Sequence, residues 1–361
     1  VPKSAKHLLI GSLEAYSGKS ATILGIAHQL KARGLDIAYG KPLAGGWGQS
    51  KMDDDDGDVQ FVAQTLELPQ NRLQPTLLTL GNDTVQKRLL GEDQVNYQEL
   101  LAQQSRQQQG DLVILEGSGT LDEGRLFDLA LLQIAETIQA SVLLVTRFHS
   151  LLLLDGLISA KQSLGDRLLG VLINDVSTEQ FDVVNALVIP FLEKHGIKVF
   201  GVMPSSTLLR SVSVGELVRQ LKAEVLCRAD RMDLMVESLT IGAMNVNSAL
   251  KYFRARHNMA VVTGGDRTDL QLAALETSTQ CLILTGHISP SKEIVSRAED
   301  LEIPILSVDL DTLSTVEIVD QAFGQVRFHE PIKFQCVCQM IDEYFDSDRL
   351  LSELGLESKA A

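Results

Sequence analysis

The stretch Ile10–Gly25, "IGSLEAYSGKSATILG", leaves an apolar run, passes through Gly-Lys-Ser and enters a helical pattern. These are the parts of a phosphate cradle: a strand end, a loop of free backbone N–H groups, and a helix whose first turn carries a lysine and a hydroxyl. The strict spacing, Gly, four residues, then Gly-Lys-Ser/Thr, asks for glycine where Leu13 stands, and the nearest upstream glycine is Gly11. A longer loop still offers backbone donors. The candidate phosphate-holding residues are therefore Ser17, Gly18, Lys19, Ser20 and Ala21, with Lys19 reaching the terminal phosphates and Ser20 holding a metal ion. The helix is expected from Lys19 to Arg33, ending at Gly34, a glycine suited to a C-terminal cap.

Working outward, apolar runs alternate with amphipathic stretches: "HLLIGS", "DIAYGKP", "DLVILEG", "SVLLVT", "LLGVLIN" and "IKVFGVMP". Short continuous apolar strands separated by helical patterns predict an α/β fold, a parallel sheet covered on both faces. Ligands of such sheets bind at the carboxyl ends of the strands, so the residues found there are candidates. Lys41 ends the second strand and places another cation in the same crevice. Glu116 follows a strand in "LVILEGSGT", where a carboxylate can hold magnesium and Gly117 and Gly119 admit close backbone approach. Asn174 ends "GVLIND", with an amide that can both donate and accept toward a base edge. In the acidic run "DDDDGD", Asp53 and Asp54 read as a solvated face. Asp58 opens the helical pattern "DVQFVAQTL" and is the better second metal ligand.

The alternation restarts after Pro204, with "MVESLTIGAM", "NMAVVTGG", "QCLILTGH" and "IPILSVDL" each followed by a helical stretch. The expected organisation is a nucleotide-binding domain over residues 1–204, a smaller α/β domain over 205–324 and a helical tail over 325–361. The tail carries Phe, Met, Ile, Tyr and Leu at helical spacing and reads as packing surface. In the second domain "AVVTGGDRTD" is the sharpest motif. Gly264, Gly265, Asp266, Arg267 and Thr268 join a strand to a helix and form a possible site for a small anionic effector. The competing reading is a structural turn in which Asp266 and Arg267 pair with each other.

Composition bounds the partners. At 361 residues the chain is long enough for two cores. With 47 acidic against 32 basic residues the net charge is −15, which disfavours nucleic acid and anionic membranes. The apolar runs are too short for a transmembrane helix, and the N-terminal residues lack the long apolar core of a signal peptide, so the expectation is a cytoplasmic protein without membrane insertion. Four cysteines suit a reducing compartment, and Cys336 and Cys338 lack neighbours at zinc-ligand spacing.

The residues "GSLEAYSGKS", "GKPLAGG", Asp58, "LEGSGT" and "LIND", in that order, resemble the dethiobiotin synthetase and cobyrinic acid diamide synthase group of phosphate-loop ATPases. The resemblance covers about the first 204 residues. It implies ATP and Mg2+ as cofactors, held by Lys19, Ser20, Asp58 and Glu116, with Lys41 serving a reacting substrate and Asn174 near the adenine. The loop departs from the family pattern in its length and in Leu13 and Tyr16. "GGDRTD", with "PSSTLLRSVSVGEL", "LTIGAMNVNSALKYF" and "ILTGHISPS", resembles the DRTGG domain. The two together resemble the N-terminal regulatory part of long phosphate acetyltransferases, and the expectation from that resemblance is a regulatory half standing alone, without the catalytic domain.

What this implies is an ATP–magnesium-binding regulatory or interaction protein, with a protein partner or a second copy docking on its acidic surface. The alternative is an ATP-dependent ligase that phosphorylates a carboxylate or carbamate, Lys19 and Lys41 then being catalytic. No cysteine sits in a glycine-flanked elbow, so a glutaminase supplying ammonia is not expected. Phosphate acetyltransfer is not expected either.

Overall fold

Strands built from Leu, Ile and Val without polar alternation satisfy both faces only inside a sheet covered by helices twice. The computed structural model describes residues 6–45, 55–324 and 330–356, and within these the side chains of 55–58 and 324 stand outside the description. The chain divides into two compact units, Val1–Ser205 with Phe328–Ala361, and Ser206–Arg327.

In the first unit β1 (Lys6–Ser12) lies near the middle of a seven-stranded sheet. From edge to edge the order is Leu73–Gln74, Ile37–Gly40, Leu112–Glu116, β1, Ser141–Arg147, Leu168–Val176 and Lys198–Pro204. Every pairing in it is parallel. The six strands expected from the sequence all form. The edge pair Leu73–Gln74 does not announce itself, being two residues long with no apolar run of its own.

The two-residue side-chain period sorts this sheet's faces. Leu9, Val113, Leu115, Val142, Leu144, Val171 and Ile173 enter a core shared with Leu101, Ile134, Leu157, Ala160, Val188 and Leu192 from the helices beneath. Leu8, Ile10, Ile114 and Glu116 then face the other side, which α1 (Lys19–Ala32) covers. Helix α1 ends where expected, with Arg33 as its cap and Gly34 at φ 81°.

Helix α1 buries Ile23, Leu24, Ile26, Ala27 and Leu30 around most of its circumference, so the sheet alone cannot cover it. The cover comes from the other end of the chain. Helix Pro331–Tyr344 lies against α1, its Val337 and Ile341 buried, and Phe334 meets His28 edge to face with ring centroids 5.4 Å apart. The tail is packing surface, as its spacing indicates. The approach depends on Gly25: a Cβ there would stand 2.5 Å from Ile341 Cγ1 and 2.9 Å from Val337 Cγ1. Helix Ser347–Leu354 follows, fixed by an ion pair of Asp348 with Arg33 and by Arg349 to Glu193 at 2.8 Å.

The second unit holds a five-stranded sheet in the order Glu224–Cys227, Ile305–Val308, Thr279–Thr285, Met259–Gly264, Ser238–Gly242. Its first pair is antiparallel and the others are parallel. Alternation again feeds two cores. Met259, Val261, Leu282 and Leu284 pack with Phe253, Leu270 and Ile294 on one face. Ala260, Val262, Cys281 and Ile283 pack with Leu217, Leu221 and Val319 on the other.

Replacing Gly25 by Val is expected to overpack the α1 contact and lower stability by about 1–3 kcal/mol despite Val's better helix propensity than Gly. Urea unfolding of the whole chain checks this. An unchanged midpoint would mean that helix Pro331–Tyr344 moves aside without cost.

Candidate functional site

The carboxyl ends of the central strands bring one charge cluster together. Ile10 pairs with Glu116, and Ser12 with Val145, so the loop after β1 begins level with the end of the Glu116 strand. The loop turns through Tyr16 at φ 56° and Gly18 at φ 95°, both left-handed. At Gly18 the reason for glycine is steric as well as torsional, because a Cβ would strike the Asn174 amide nitrogen. That amide donates to the Ser17 carbonyl at 2.9 Å, so Asn174 braces the loop. Gly18 supplies no side-chain cap to α1, leaving the first-turn N–H groups directed at the loop.

Lys19 is buried at the helix start, 8% exposed, and its ammonium donates to Ser12 Oγ at 2.9 Å. Ser12 Oγ in turn donates toward the carbonyls of Glu14 and Gly119, each at 2.8 Å, tying the two loops to one atom. Burial pulls the Lys19 pKa below its ordinary value, while the negative charge of Glu116 works in the opposite direction. Ser20 Oγ donates to Glu116 Oε1 at 3.0 Å, and Lys41 Nζ lies 3.7 Å from the same oxygen. Two lysines thus gather around one buried carboxylate, with Glu123 and Glu14 also acting electrostatically on Lys19.

Lys19 and Ser20 from the start of one helix, and Lys41, Glu116 and Asn174 from the ends of three separate strands, are therefore assembled together. The Asp58 carboxylate, and Asp53 and Asp54, lie outside the described residues. Among the described residues no group of three or more His, Cys, Asp and Glu side chains gathers as a metal set. The residues present suit a polyphosphate. Ser17 Oγ is fully buried and has no hydrogen-bond partner among the described residues, the loop backbone turns through left-handed Tyr16 and Gly18, and the Lys19 and Lys41 ammonium groups stand beside it.

Sequence reasoning missed Ser12, Tyr39 and Glu123. Glu123 Oε2 accepts from the Gly119 N–H at 2.6 Å and so shapes the second glycine loop. Tyr39 OH donates to Glu116 Oε2 at 3.0 Å. Its signal was the placement of a tyrosine inside an otherwise aliphatic strand.

In the second unit Gly264–Thr268 joins a strand to helix Thr268–Leu275. Arg267 pairs with Asp269, at 3.1 and 3.2 Å through two nitrogens, and also donates to the Met244 carbonyl at 3.1 Å. The partner is Asp269, where the structural-turn reading has Asp266, because Asp269 sits in the first helical turn, where the fork of the guanidinium reaches both carboxylate oxygens. Buried Gln271 donates to the carbonyls of Gly264 and Gly265, at 3.0 Å each, and holds the turn from within. No helix among the described residues is long and apolar enough to cross a membrane.

A family model described as AAA domain matches residues 6–213, and one described as DRTGG domain matches residues 216–322. The phosphate acetyltransferase of Synechocystis sp. is 24% identical over 371 residues, 96% of this chain and 51% of that protein. The phosphate acetyltransferase of Nitratidesulfovibrio vulgaris is 23% identical, over 97% of this chain and 52% of its own length. The chain spans about half the length of the curated relatives it matches. Among solved structures, the CBS and DRTGG domains of Clostridium perfringens pyrophosphatase, complexed with the activator diadenosine tetraphosphate, align at 18% identity with a TM-score of 0.29. That alignment covers 38% of this chain and 69% of that one. The order of domains read from the motifs, a phosphate-loop region and then a DRTGG domain as in phosphate acetyltransferases, is the order these matches give.

Because burial lowers the Lys19 pKa, the unfolded chain keeps this proton to a higher pH than the folded one. Over the alkaline range below 10.5 the unfolded state therefore binds more protons, and this residue's contribution to stability rises with pH. The stability difference between wild type and Lys19→Met, followed by urea melts, is expected to shift in favour of wild type as pH climbs through that range. A flat or falling difference would contradict the burial.

Proposed function

Because this chain belongs to the AAA domain family, we propose that its first unit binds ATP with Mg2+ and that the chain acts as a nucleotide-responsive regulatory or interaction protein. One observation carries the reading: the buried Lys19 ammonium opens α1 beside a Ser20–Glu116 pair, at the carboxyl end of a parallel sheet. Lys19 and the first-turn N–H groups would hold the terminal phosphates, with Ser17 and Ala21 in the same cradle. Ser20 and Glu116, with Asp58 as a third candidate, would hold the cation, whose chemistry here is to neutralise and orient phosphate oxygens. Asn174 supports the loop through the Ser17 carbonyl and would lie near the adenine.

A DRTGG domain following such a unit supports a use of the nucleotide as a signal. In that domain a small anionic effector would take Arg267 by exchanging with Asp269. The exchange is inexpensive, since both side chains are solvent-exposed and such pairs contribute little. The chain's acidic surface would receive a protein partner or a second copy.

A second reading is favoured by Lys41. Its ammonium lies 3.7 Å from the Glu116 carboxylate, where it could stabilise charge on a phosphoryl group moving to a carboxylate or carbamate, as in an ATP-dependent ligase. The two readings differ in turnover. Phosphate release from ATP, followed with and without candidate amines and carboxylates, is expected to stay at background if the nucleotide is a signal, and substrate-dependent release would favour the ligase.

The binding itself is tested by calorimetry of ATP–Mg2+ with wild type and Lys19→Ala. Loss of a charge-assisted phosphate contact should cost on the order of 2 kcal/mol, about thirtyfold in affinity. Equal affinity in the two proteins would remove the phosphate assignment.

A further inference from the structure

Tyr39 lies outside every motif that picks out this site, yet its hydroxyl touches the central carboxylate. It is 1% exposed, and its OH donates to Glu116 Oε2 at 3.0 Å while Ser20 Oγ donates to Oε1 at 3.0 Å. Phenylalanine would fill the same apolar space without bringing a polar atom out of water, so the hydroxyl is retained against a desolvation cost. Sheet register makes the contact. Tyr39 pairs with Ile114, and Glu116 follows two residues later on the same face.

The terminal torsion of a glutamate is broad and roughly two-fold, so an untethered carboxylate would rotate. Rotation would matter because Lys41 Nζ stands 3.7 Å from Oε1 and competes with Ser20 for that oxygen. We propose that Tyr39 is a positioning residue: its hydroxyl fixes Glu116 Oε2, so that Oε1 is presented to Ser20 and, through it, to a divalent cation bound with nucleotide. It acts through Glu116 and has no contact of its own with the cation or the phosphates. The inference rests on the ATP–Mg2+ reading of the first unit.

The test is calorimetric titration of the whole chain with ATP, in Mg2+ and in EDTA, for wild type, Tyr39→Phe, Glu116→Gln and the double variant. Removing a partner that orients a metal-site group typically lowers metal affinity by about tenfold or more. Tyr39→Phe is therefore expected to weaken binding about tenfold in Mg2+ and to leave binding in EDTA within about twofold. The double variant is expected to lose no more than Glu116→Gln alone, since the hydroxyl has nothing to position once the carboxylate is gone. Equal losses for Tyr39→Phe in Mg2+ and in EDTA would show a structural role and overturn the proposal. So would wild-type affinity of Tyr39→Phe in Mg2+ while Glu116→Gln loses affinity there, an outcome that leaves the nucleotide reading intact. If Glu116→Gln itself binds equally well in Mg2+, the metal role of Glu116 falls, and the proposal falls with it.

Discussion

An ammonium taken out of water has to be met by opposite charge and by acceptors, or it loses its proton or unfolds its surroundings. Lys19 imposes that requirement on the first unit. Ser12 accepts its hydrogen bond, and Glu116 provides the countercharge from a neighbouring strand. Glu116 is then held by Ser20, Tyr39 and Lys41. Each of these residues sits at the carboxyl end of a strand or the first turn of α1. The parallel order of the sheet is what places them together, because only parallel neighbours put all their carboxyl ends at one edge.

The same requirement explains the packing behind the site. A helix that delivers a lysine and a hydroxyl to fixed positions has to be rigid along its length, and α1 is enclosed between the sheet and helix Pro331–Tyr344. Gly25 gives up helix propensity so that this second helix can approach. The residues that complete the first unit thus come from both ends of the chain, with Ser206–Arg327 folded as a separate unit between them.

Much of this was legible in the sequence because the signals were local. Gly-Lys-Ser after an apolar run fixes a strand, a loop and a helix start. "LEGSGT" and "GKP" mark strand ends by a charge next to glycine or proline. The five-stranded second unit followed from four apolar runs, and the strand Glu224–Cys227 escaped because it is half exposed and pairs antiparallel at the edge. Contacts that depend on register were not legible. Tyr39 meets Glu116 only because Ile37–Gly40 and Leu112–Glu116 align as they do, and the pairing of Arg267 with Asp269 depends on helical phase within a single turn. Ser12 looked like an ordinary strand-end residue until the loop folded its lysine back onto it.

Hydrogen exchange on the whole chain, with and without ATP–Mg2+, reaches the central claim most directly, since it reports on backbone donors rather than on any one side chain. If the Ser12–Ser20 loop and the first turn of α1 cradle phosphate, amides of Tyr16 to Ala21 gain protection on nucleotide addition, together with the Gly117–Gly119 loop that Ser12 ties to them. Protection confined to the second unit, or none at any of these amides under saturating nucleotide, would contradict the account.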